Sequence, residues 1–191
     1  MAGLLVFHFA FFRKFYFQNF YHYARSEPLE HEFPSSRILG EEWRKGNRLV
    51  RDDYFYPSYN ALPWNSSFYP PHMVQAWIGS YLPLNQAWIL YSLTMVLHYL
   101  FASIIALVLL SHFTTPLLAL FGAITLTHFS YCIKQNSSIA YTLSWFPLLL
   151  LGARVHSIHI FGISLGMIIL AGYWPLGIYM GGFGCLFWLF S

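Results

Sequence analysis

Two adjacent acids, Asp52 and Asp53, close a run of charges, and no acidic residue follows them in the chain. Glu41 and Glu42 stand upstream, and Arg44, Lys45, Arg48 and Arg51 lie between the two acidic pairs. A carboxylate in such a setting can act as a general base on an acceptor hydroxyl. It can also hold a divalent metal ion. Arginine grips phosphate bidentately, so the interleaved cations suit a charged, phosphate-linked substrate. Trp64, Tyr69 and Trp77 follow closely, and their rings can stack on sugar faces. The plainer reading is a charge-balanced loop. Glu41 and Lys45 are spaced i,i+4, the favourable orientation for a pair on a solvated helix.

Histidines form a second set. His8, His98 and His128 lie inside apolar runs, and His159 lies near the end of one. An ionisable side chain at membrane depth points to function by default. His98 shares a helix face with Tyr91 and Thr94, so a hydrogen-bonded seam is available there. Two histidines on different spans can also hold a haem or chlorophyll axially. The pair His156 and His159 has no carboxylate or thiolate beside it and makes a poor metal site.

The elements that must carry these residues are greasy. The chain has 191 residues, of which 57% are hydrophobic, 21% aromatic and 9% charged. Soluble domains carry about 25% charged residues. The mean hydropathy of +0.49 agrees with that shortfall. The expectation is an all-α, polytopic membrane protein of about five or six segments, given that a span needs about 20 apolar residues. The net charge of +3 is small and not gathered into a basic arm, which argues against a nucleic-acid partner. Cys132 and Cys185 sit in apolar runs without C-x-x-C spacing and read as small core residues.

Three regions follow. Residues 1–23 form a short aromatic segment, too short to span as far as Arg13 and Lys14 and suited to the headgroup boundary. Residues 24–85 form an extracytoplasmic loop. Ser36 there can cap a helix that ends at Gly46 and Asn47, and residues 72–84 read as a short amphipathic helix. Prolines 57, 63, 70 and 71 make the passage between them extended. Residues 86–191 form the bundle, with apolar segments near 87–110, 117–133, 139–151, 158–171 and 174–190. Gly162 and Gly166, like Gly177 and Gly181, have the G-x-x-x-G spacing that lets membrane helices approach. Both ends of the chain stop inside apolar runs, as in a shortened version of a longer polytopic protein.

The order of several motifs adds to this. Gly46 to Tyr54, then Phe68-Tyr69-Pro70-Pro71, then Leu97-His98, then Trp145-Phe146-Pro147-Leu148-Leu149-Leu150-Leu151, then Ala171-Gly172-Tyr173-Trp174-Pro175 follow one another. In that order the chain resembles the N-terminal part of the YfhO-like bacterial membrane proteins, relatives of the GT-C class of polytopic glycosyltransferases. The resemblance implies a polyprenyl-phosphate-linked sugar as substrate, an outer-face site and a bacterial inner membrane. It also implies contact with membrane lipids. Three features depart from the family pattern. Its Pro-Leu-Trp piece is Leu49-Val50-Arg51 here, and its Ala-Gly element lacks His and Gln. The place of its catalytic Arg-Asp pair is Arg13-Lys14. The missing acid favours an alternative, a non-catalytic subunit that packs against other membrane subunits.

Overall fold

The structure, a computed structural model, describes residues 1–13, 33–47, 68–133 and 137–190. Those residues form eight α-helices and no strand. They are α1 (Ala2–Phe11), α2 (Phe33–Arg44), α3 (Pro70–Gly79), α4 (Leu84–Ser111), α5 (Pro116–Ile133), α6 (Ser137–Arg154), α7 (Ile158–Leu170) and α8 (Trp174–Phe190).

Apolar composition sets the lengths. α4 has 28 residues with no charge among them. At 1.5 Å per residue it is about 42 Å long. It is the one described helix that is long and apolar enough to cross a membrane. Proline marks where helices begin. Pro83 precedes α4, Pro116 opens α5, and Pro70 and Pro71 occupy the first turn of α3, where a missing amide hydrogen costs nothing. α6 runs through Pro147, which has no amide hydrogen for the Leu143 carbonyl.

Three of the described helix ends carry a left-handed residue, Gly172 (φ +89°) after α7 among them. Gly46 (φ +81°) ends α2, with its amide on the Trp43 carbonyl and the Asn47 amide on the Glu42 carbonyl. The same double bond ends α6, where the His156 amide reaches Ala153 and the Ser157 amide reaches Gly152. There the left-handed residue is His156 (φ +49°), which bears a Cβ. His156→Gly is therefore expected to be more stable than His156→Ala by about 1 kcal/mol, measured as a difference in thermal midpoint in detergent. Both variants lose the same edge contact to Trp188, so the comparison isolates the backbone.

α4 is the axle. α5 and α6 pack along it, α1 lies against α4 and α5, and α2 and α3 sit on its N-terminal end. α6 then carries α7 and α8. The largest core cluster joins Phe33, Tyr69, Trp88, Tyr91, Met95, Tyr99 and Tyr141, so the loop helices and the bundle share one core. Elsewhere small residues set the spacing. Ala106 and Ala123 are fully buried between α4 and α5. Gly177 and Gly181 turn toward Ile168 and Leu165 of α7, whereas Gly162 and Gly166 of the other G-x-x-x-G have no neighbour. Hydroxyls inside the apolar helices mostly bond back one turn. Thr94 donates to Leu90, Ser144 to Ala140 and Ser164 to Ile160. This satisfies them without water.

Two local expectations shift. α2 begins at Phe33, so Ser36 is not its cap. Ser36 is buried against α3, where the Gln75 amide donates to its hydroxyl at 3.1 Å. Glu41 pairs with Arg37 one turn back, because Lys45 lies past the last helical residue and turns to Glu42.

Candidate functional site

The charged layer sits on α2. Glu41 Oε1 accepts from Arg37 Nε at 2.9 Å. Arg37 also donates through a terminal nitrogen to the carbonyls of Gly79 (3.3 Å) and Leu82 (2.8 Å). Arg44 donates to the Ser80 carbonyl at 2.9 Å, with its guanidinium 5.4 Å from the Tyr81 ring centre. Two arginines thus cap the C-terminal end of α3, where carbonyls outnumber amides and cations are favoured. Glu42 accepts from Lys45 Nζ at 2.6 Å and from Asn47 Nδ2 at 2.7 Å. These two bonds, Lys45 first, hold its carboxyl below the usual range, and the bond to Glu42 raises Lys45. Trp77 is exposed on α3 and meets Tyr81 edge-on at 5.5 Å. Asp52, Asp53, Arg48, Arg51 and Trp64 lie outside the described residues.

Beneath this layer lies a polar node. Tyr69, the residue before α3, is driven into the bundle by the two prolines that follow it, and it is fully buried. Its ring stacks on Tyr141 at 5.0 Å. Its hydroxyl accepts from Trp145 Nε1 at 2.6 Å and lies 2.5 Å from His98 Nε2. The other nitrogen of His98, Nδ1, lies 2.6 Å from the Thr94 carbonyl. A carbonyl only accepts, so Nδ1 carries the proton. Nε2 is then the acceptor and Tyr69 is the donor. The direction of the whole chain is fixed: Trp145 N–H to Tyr69 O–H to His98, and His98 to Thr94. Residues of α3, α4 and α6 meet at one hydroxyl.

A second seam ties α1 to the bundle. His8 Nδ1 lies 3.3 Å from His128 Nε2, and both rings are buried. His128 Nδ1 faces the Thr127 hydroxyl at 3.0 Å and the Ile124 carbonyl at 3.2 Å. Thr127 meets Ser103 of α4 at 2.6 Å.

The structure therefore gathers Tyr69 and His98 at one point, places His128 at another, and sets Glu41, Glu42, Arg44 and Lys45 together on α2. Trp145 and Arg37 had not been singled out. Trp145 carried a usable signal, since a buried indole N–H needs an acceptor. Arg37 carried one too, four residues before Glu41 on a helix. Thr94, one turn before His98, offers the ring its carbonyl, while its hydroxyl donates to the Leu90 carbonyl. Among the described residues no three His, Cys, Asp or Glu side chains converge on a common point. Comparison with known families, with curated proteins and with solved structures finds no match.

Proposed function

We propose that the chain is a polytopic membrane module on the plan of the YfhO-like, lipid-linked-sugar glycosyltransferases, serving as a non-catalytic scaffold within a larger membrane assembly. In this reading α4 to α8 are membrane segments, and α2 and α3 lie at the outer face of a bacterial inner membrane. Membrane lipids would cover the exposed apolar residues of α5, α7 and α8, such as Phe121, Ile163, Ile178 and Phe183.

One observation carries the scaffold role. The described members of the charged layer each have a structural partner. Arg37 and Arg44 grip α3 backbone carbonyls, and Glu41 and Glu42 are occupied by neighbours on their own helix and its end. A catalytic base needs a carboxylate turned to substrate, and the Arg37 guanidinium gives its Nε and one terminal nitrogen to the fold. An enzyme reading would rest on Asp52 and Asp53.

The test is a double substitution, Asp52→Asn with Asp53→Asn, assayed as sugar transfer from a polyprenyl-phosphate donor in membranes. Transfer within twofold of the unaltered protein is the expected outcome. A loss of tenfold or more would overturn the scaffold reading and return the loop to catalysis.

A further inference from the structure

α7 is shorter than its neighbours, and both of its ends are fixed. Its 13 residues give about 20 Å of helix. α6 before it has 18 residues, about 27 Å, and α4 has 28, about 42 Å. At the start of α7 the Ser157 hydroxyl accepts from the Ile160 amide, and the left-handed His156 turns the chain just ahead. At its end the amides of Ala171 and Gly172 reach the carbonyls of Met167 and Ile169, and Gly172 turns the chain toward α8. Neither end can gain a turn without losing its stop.

The two stops sit at opposite ends of the bundle. Arg154, which closes α6, lies 5.6 Å from the Phe113 ring in the turn between α4 and α5, and His156 meets Trp188 edge-on. Ala171 is fully buried in one cluster with Ala140 and Tyr141, near the start of α6. α7 therefore runs back along most of α6. Its outward face is apolar, with Ile163, Ile169 and Leu170 exposed. Neither α7 nor α8 contains Asp, Glu, Lys or Arg.

A hydrocarbon core is about 30 Å thick. A helix longer than that tilts, as α4 can. A shorter helix cannot stretch, and tilting reduces its reach further. The carbonyls of its last turn have no helical amide ahead of them, so an end left in hydrocarbon is costly. The bilayer has to come to the helix.

We infer that the outward face of α7 binds a thinned patch of bilayer, in which lipids of shorter acyl chain are preferred to the bulk. The inference rests on the membrane reading given above. Shorter chains bring both headgroup layers to the two ends of α7. α5, with 18 residues and about 27 Å, fits ordinary chains and has no such preference.

The experiment places one cysteine on α7 (Ile163→Cys) or on α5 (Phe121→Cys) in the full chain carrying Cys132→Ser and Cys185→Ser. The two positions are matched, at 61% and 60% exposed. Each variant carries a small fluorophore and is reconstituted in mixtures of dimyristoleoyl and dioleoyl phosphatidylcholine, with one lipid and then the other brominated. Quenching reads the ratio of the two lipids at the label. The short-chain lipid should be favoured at least about twofold at position 163 and not at position 121. Equal ratios at the two positions would overturn the thinned patch. Quenching at position 121 with none at position 163 would overturn it too, because protein and not lipid then covers α7. No quenching at either position would sink the membrane reading itself, and this inference with it. If the cysteine variants do not fold, the thermal midpoint of the unaltered protein decides. It should be higher in dimyristoleoyl than in dioleoyl bilayers, and an equal or lower midpoint there would overturn the inference.

Discussion

Tyr69→Phe is expected to destabilise the protein by about 2 kcal/mol, although it removes a single oxygen, because two partners, the buried His98 and the half-buried Trp145, lose their bond at once. Trp145 Nε1 would lose its acceptor and His98 Nε2 its donor. The ring still packs on Tyr141, so the transfer contribution of the side chain is retained. His98→Leu alone should be damaging as well, since it strands the Tyr69 hydroxyl hydrogen. The double variant should cost less than the sum of the two. A double-mutant cycle on thermal unfolding in detergent reads that difference, and polar pairs between membrane helices give coupling of about 0.5–2 kcal/mol. A cycle that closes at zero would mean that the hydroxyl and the ring act independently.

The second large effect concerns a glycine with no room for a methyl group. Gly40 lies where α2 crosses α3, and a Cβ there would collide with the Ala76 carbonyl and press on Ser80 Cβ. Backbone cannot move aside as a side-chain tip can. Gly40→Ala is therefore expected to lower stability by about 3 kcal/mol, at the upper end of overpacking costs. Helix propensity runs the other way, since alanine is favoured over glycine by about 1 kcal/mol inside a helix. Gly162→Ala is the matched control. It sits on the outward face of α7 with nothing near its Cβ position, so propensity alone should act and stability should rise or hold. Thermal midpoints of the two variants should move in opposite directions. Exchange in residues 33–47 should report the undocking of α2 in the first variant only.

The helices could be read from the sequence far more readily than the site. The run ended by Ser111 is uncharged over 28 residues, and that length leaves little choice of element. The turns at Gly46, Gly172 and Pro116 announced themselves by residue type. His156 did not, because a residue with a Cβ is uncommon in a left-handed position and only the two amide bonds that close the helix end reveal it. Ser36 misled for a related reason. A serine near a helix start reads as a cap, but three further residues of helix precede it and its partner, Gln75, lies on another helix. The polar nodes were half legible. Histidines in apolar runs are visible at once, and each must find a partner. Which partner is a tertiary fact: Tyr69 and Trp145 are 76 positions apart, and His8 and His128 are 120 apart. No local period encodes such a pairing. The charged layer is the reverse case, since its residue types suggest substrate recognition until the carbonyls of α3 are seen to occupy them.

The node at Tyr69 also imposes an order of assembly. α4 and α5 are joined by a short turn and can pair as soon as both exist, at little loop-closure cost. α3 cannot complete its docking then, because the indole that donates to Tyr69 arrives only with α6. Until it does, the Tyr69 and His98 rings lack the Tyr141 face that closes over them. The pair α2 and α3, made early in synthesis, must wait for a later helix before its docking is complete. A chain interrupted before Trp145 would leave Tyr69 without its indole partner and without the Tyr141 face, so the docking of α3 on α4 would stay incomplete.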